Sequence, residues 1–274
     1  MASTVANPAV AASAVASLVD GVERAASVLS ARPEAIVLQV DAAAGHRLVC
    51  LLADDLTRLP NGVHADLAGV VDPPPRGAQA TVGASRIGVG GRVFTVVRRW
   101  DSRIGRIDVS DIGLAVIAGA LCNAEFGVPL AARDRLARWL AGSSDDPVRS
   151  LVGLGRGLTP GGDDLLAGAA VGLHAAGRPD LACRLAAALP TDLDVRTTAL
   201  SADLLRLALA GHACAEVGQV LRTLHGTARD PAHRPGLVAT TTRLLAVGHT
   251  SGADLAAGLL IGLEPAARVA RHSS

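Results

Sequence analysis

A chain of 274 residues can bury one large core or two smaller ones, and a hydrophobic content of 50% excludes a disordered chain. The formal charge of +1 gives no bulk attraction to nucleic acid or acidic lipid, and two Phe, two Trp and no Tyr provide no platform for stacking bases. All 26 basic residues are Arg, which removes Schiff-base chemistry and the P-loop lysine.

With so few aromatic residues the core must be Ala, Val and Leu, a composition suited to closely packed helices. Residues 8–30 read as a helix, with Val15, Leu18, Val19, Val22 and Leu29 near helical spacing. No positive region precedes it, and Asp20, Glu23 and Arg24 interrupt it, so it is not a signal peptide. From Glu34 to about Trp100 the pattern turns to strands: 36–40, 47–52 and 92–97. Asn61-Gly62, Gly90-Gly91 and Pro73-Pro74-Pro75 punctuate them, Asn-Gly reading as a hairpin turn. This part is a small β-rich subdomain, a barrel or a sandwich. Arg86, among Gly83, Gly88, Gly90 and Gly91, is a weak ligand candidate.

After Asp108 the pattern is helical almost to the end, with segments at 111–126, 130–141, 146–153, 163–177, 179–189, 195–210, 213–225, 236–247 and 253–263. The expected fold class is therefore α+β, a small β-rich N-terminal part (1–107) followed by a mostly helical C-terminal part (108–274). No stretch reaches the roughly 20 uninterrupted apolar residues of a membrane span. Cys50, Cys122, Cys183 and Cys214 form no C-x-x-C pair and read as reduced, mostly buried thiols of a cytoplasmic protein.

An internal echo is the sharpest signal. Thr159-Pro160-Gly161-Gly162-Asp163-Asp164 leads into a helix carrying Gly168 and Gly172. Ninety positions later His249-Thr250-Ser251-Gly252-Ala253-Asp254 leads into a helix carrying Gly258 and Gly262. Small residues four apart let helices approach closely, by analogy with membrane helices. The two helices are expected to pack together and bring their N-terminal turns to one end.

Glycines before a helix start leave backbone N–H groups free to meet an anion. Gly155, Arg156, Gly157, Thr159, Gly161 and Gly162 supply such a stretch, with a guanidinium and a hydroxyl beside it. It is not a Walker A loop, having no Lys. Asp163 and Asp164 fit two readings equally: helix-start caps, or functional carboxylates. In the second they could hold Mg²⁺, accept from a substrate amide, or act as general base. Asp254 and His249 are the matching catalytic candidates, and Thr250, Ser251 and Gly252 complete that turn. A lone His is more often structural. Arg196, Thr198 and Ser201 could hold a phosphate or carboxylate, or be a helix cap beside a solvent-facing Arg. The histidines show no zinc-ligand spacing.

The run from Gly153 to Gly168 and the later Gly248-His249-Thr250-Ser251-Gly252-x-Asp254-x-x-x-Gly258 resemble the two motifs of the AllH-type family, named for a subunit of oxamate carbamoyltransferase. With Arg196 to Gly211 the resemblance covers most of the C-terminal half and, weakly, the β-rich part. It departs at Arg156, where the family pattern has Pro, and at Gly161, where it has Ser. The resemblance implies a multi-subunit complex that interconverts oxalurate plus phosphate with oxamate plus carbamoyl phosphate, in allantoin-derived nitrogen catabolism. The expected partners are therefore other subunits and a small anion such as carbamoyl phosphate or oxamate. Two further readings stand beside this one: a non-catalytic binding or scaffolding subunit, and a Mg²⁺-dependent hydrolase or phosphotransferase using the Asp pair.

Overall fold

The computed structural model describes residues 7–42, 45–68, 70 and 72–272. The chain divides into two compact units, Met1–Arg103 and Ile104–Ser274, each with its own apolar core.

In the first unit eight strands close into a barrel. They are β1 (Asn7–Ala12), β2 (Arg24–Arg32), β3 (Ala35–Ala42), β4 (Gly45–Ala53), β5 (Gly62–Ala65), β6 (Gln79–Gly83), β7 (Arg86–Val89) and β8 (Arg92–Trp100). The order around the barrel is β1-β5-β4-β3-β2-β6-β7-β8, and β8 returns to β1. The β1–β8 and β4–β5 pairs are parallel and the rest antiparallel. Strand alternation points Val28, Ile36, Leu38, Val49, Leu51, Val63, Val82, Ile87 and Phe94 into the core. Gly90 and Gly91, both at positive φ, form the tight turn joining β7 to β8.

The expected fold class needs correction here. The β-rich part is a closed eight-stranded barrel, and residues 8–30 are not a helix. They supply β1 and β2, joined by a short turn of helix, α1 (Ala16–Val19). The helical spacing of Val15, Leu18 and Val19 belongs to that connection, while Val22 is 77% exposed. Around it Ala26 and Val28 alternate inward along β2, a period of two that neighbouring Ala and Ser hide because they differ little in hydrophobicity. Asn61-Gly62 is not a hairpin turn either, since β5 runs parallel to β4. No disulfide joins any of the four cysteines; Cys50 and Cys214 are buried, Cys122 and Cys183 exposed.

The second unit is helical: α2 (Asp111–Leu121), α3 (Leu130–Leu140), α4 (Val148–Leu151), α5 (Gly161–Ala175), α6 (Pro179–Ala188), α7 (Leu193–Arg196), α8 (Ala199–Leu209), α9 (Ala215–Arg229), α10 (Arg234–Leu245) and α11 (Ser251–His272). The single helix expected over 195–210 is two, because Thr197 is extended between α7 and α8. No described helix is long and apolar enough to cross a membrane.

At the centre α5 is buried along nearly its whole length and packs against α11. A Cβ on Gly168 would strike the Leu255 carbonyl oxygen, and one on Gly258 would strike that of Leu165. One on Gly172 would strike the Leu259 carbonyl, and one on Gly262 that of Ala169. These contacts advance together along both helices, so the pair is parallel, and each contact in one copy of the echo has its counterpart in the other. Only glycine lets the two backbones approach this closely. The two N-terminal turns therefore lie at the same end of the pair.

Candidate functional site

The loop before α5 turns on glycines at positive φ, Gly153, Gly155 and Gly157. It folds back on the helix it precedes: the Gly162 N–H donates to the Leu154 carbonyl at 2.8 Å, and Gly162 sits against the Leu151 carbonyl with no room for a Cβ. The N–H groups of Asp163 and Asp164 donate to the Pro160 carbonyl. In the matching turn Gly252 donates to Val247, and Ala253 and Asp254 donate to Thr250. Among the described residues, this leaves Gly161 and Ser251 as the first-turn amides of α5 and α11 not given to a backbone carbonyl. They are equivalent positions in the echo.

Three buried carboxylates stand at these starts, and their surroundings differ. Asp163, 1% exposed, is surrounded by donors: Gly153 N–H at 2.9 Å on Oδ1, with the hydroxyls of Ser201 at 2.7 Å and Thr197 on Oδ2. Asp254, fully buried, accepts from the consecutive N–H groups of Gly127 at 2.9 Å and Val128 at 3.2 Å, with the Thr250 hydroxyl alongside. Burial raises its carboxyl above the ordinary range, against the pull of those donors. Asp164, 6% exposed, has the hydroxyls of Ser251 and Thr159 beside it, and these two bond each other at 2.9 Å. Its Oδ2, however, is buried without a hydrogen-bond partner. Burial, with the charges of Asp254 and Asp163 adding to it, pushes this carboxyl up to about 8.

Asp163, Asp164, Asp254, Thr159, Gly161, Gly162, Thr250, Ser251 and Gly252 thus gather where α5 and α11 begin, and Ser201 reaches them from α8. Gly155 backs onto the Gly161 amide, while Gly157 is open to solvent. Thr198 is the α8 cap, accepting from Ser201 N–H at 3.0 Å and donating to the Leu158 carbonyl at 2.5 Å. Arg196 pairs with Asp192 at 2.7 Å on the exposed side, so this stretch is a cap beside a solvent-facing arginine. Arg156 is exposed, and the His249 side chain, 84% exposed, lies 3.7 Å from Glu125. Among the described residues no three His, Cys, Asp or Glu side chains gather as a metal-ligand set, and the oxygens of Asp163 are already engaged by protein donors.

Sequence reasoning missed Gly127 and Val128, which lie in the α2–α3 connection and carry no motif. It also missed the break at Thr197 that turns a hydroxyl onto Asp163.

No curated protein and no solved structure matches the chain. The segment that carries both Gly-Asp turns, residues 151–263, matches the family model of the oxamate carbamoyltransferase subunit AllH.

Proposed function

We propose that this chain is a subunit of an oxamate carbamoyltransferase, or of a related carbamoyl-transfer complex, and that its ligand binds where α5 and α11 begin. The observation that carries this reading is that the family match runs from α4 into α11 and so includes both Gly-Asp turns. The geometry supports a small anion bearing an amide. The Gly161 and Ser251 amides and the Thr159 and Ser251 hydroxyls are donors for a carboxylate, a phosphate or the developing oxyanion of a carbamoyl carbonyl. Two parallel helix starts add their dipoles in the same sense. An Asp164 carboxyl held uncharged by burial at neutral pH removes the repulsion an ionised one would exert on an anion.

Carbamoyl transfer from carbamoyl phosphate to oxamate forms oxalurate and releases phosphate. Phosphate release that depends on oxamate, from the chain purified alone or with the subunits it binds in its source cell, is the expected result. Absence of oxamate-dependent release in both preparations counts against the reading.

A second reading, a ligand-binding subunit whose partner supplies the chemistry, is favoured by one observation. Among the described residues the hydrogen-bond partners of the three carboxylates are backbone N–H groups and hydroxyls, with Arg133 acting on Asp254 only through its charge, while Arg196 is paired with Asp192 and Arg156 and His249 are exposed. Oxamate binding to the isolated chain, with turnover only when other subunits are added, is its signature.

A further inference from the structure

The two halves of the echo place Asp164 and Asp254 at equivalent positions, and the chain treats them differently. Asp254 receives two successive amide N–H groups from the α2–α3 connection, those of Gly127 and Val128. At Asp164 no backbone amide takes that part: the Ser251 and Thr159 hydroxyls stand beside the carboxyl, and its Oδ2 is buried and unpaired at the N-terminal end of a 15-residue helix. A buried acceptor without a donor is costly to the fold, so an oxygen kept in this state points to a missing partner. The internal filling at Asp254 shows what fits such a carboxyl in this fold: amide N–H.

We propose that Asp164 is the specificity-determining residue of the site and that its open oxygen receives the primary amide of the ligand, while the Gly161 and Ser251 amides and the Thr159 hydroxyl receive the anionic group next to it. The choice of ligands rests on the carbamoyl-transfer reading above; the recognition chemistry rests on the unfilled carboxyl.

The test is binding, measured by calorimetry on the full chain with two pairs of probes. Oxamate is compared with oxalate, which has a carboxylate in place of the amide. Carbamoyl phosphate is compared with acetyl phosphate, which has a methyl group in place of the NH₂. The expected result is a preference of about tenfold or more for the amide member of at least one pair, since a site built around a hydrogen-bonding group rejects an analogue lacking it. The pair that shows the preference identifies the source of the amide.

Asp164→Leu should abolish the preference and melt no lower than the parent, because it replaces a poorly paired buried carboxyl by a hydrocarbon of similar size. Asp164→Asn is the second variant. It replaces one carboxyl oxygen by an NH₂, which cannot accept from the ligand's N–H, and the preference is again lost. No preference in either pair on the parent chain overturns the proposal, and so does a folded variant of either kind that retains it. Failure of oxamate-dependent phosphate release with the amide preference intact would instead remove the transferase reading alone.

Discussion

Asp163 and Asp164 are neighbours in sequence and first-turn residues of the same helix, yet one is paired at both oxygens and the other keeps an open one. That difference has a pH signature. An ordinary aspartate titrates near 3.9, and Asp164 in the folded chain near 8. Between these values the folded state holds a proton that the unfolded state has released. Stability is therefore greatest below about pH 4 as far as this group is concerned, falls as pH rises toward 8, and levels off beyond it. The melting temperature of the parent should decline between pH 5 and pH 8, and Asp164→Asn should flatten that decline; an unchanged slope would contradict the assignment.

Asp254 makes the opposite kind of prediction. Removing its carboxylate in Asp254→Ala orphans the N–H groups of Gly127 and Val128 at once, a loss of about 2–5 kcal/mol in urea unfolding. The sequence marked all three carboxylates as candidates but could not sort them. Sorting requires knowing that Thr197 and Ser201 fold over Asp163 and that the α2–α3 connection reaches Asp254, and neither contact leaves a periodic trace.

At the scale of elements, the paired glycines were the legible part. Their register, repeated at ninety positions, gave both the packing of α5 on α11 and its direction. The contacts give that packing an energetic meaning, because a methyl group at Gly168 or Gly258 meets backbone that cannot swing aside. Gly168→Ala and Gly258→Ala should each destabilise by about 1–3 kcal/mol, read from the denaturation midpoint. Gly119→Ala is the control. It lies on the exposed side of α2 with nothing within 4 Å of the new methyl, so it should be neutral or stabilise by about 0.4–1 kcal/mol. Equal gains at all three positions would show that intrinsic helix preference, and not the crossing, dominates. The opposite case is the N-terminal segment, where Ala dominates. Alanine is the best helix former and a poor marker of inside and outside, so its local preference read as helix where barrel pairing imposes strands.

At the scale of the whole molecule, the two units keep separate cores, and every residue of the candidate site belongs to the second. The fragment 104–274 should therefore fold by itself, with a cooperative thermal transition, and bind oxamate as the full chain does. A fragment that stays unfolded, or folds without binding, would show that the first unit contributes to the site. The division near residue 103 follows from the change of hydrophobic period from two to 3.6, which a sequence displays. Closure of the strands into a ring is a property of long-range pairing, β1 with β8 above all, which no local window contains.

That ring has a consequence for assembly. An open sheet ends in rows of unsatisfied N–H and C=O groups, and a neighbouring chain can extend it by laying down a further strand. Here, among the described residues, β1 pairs with β8 and every strand has a neighbour on both sides, so the barrel has no terminal strand to extend. A subunit that docks on this unit is therefore selected by side chains on its surface and not by adding a strand at the end of a sheet.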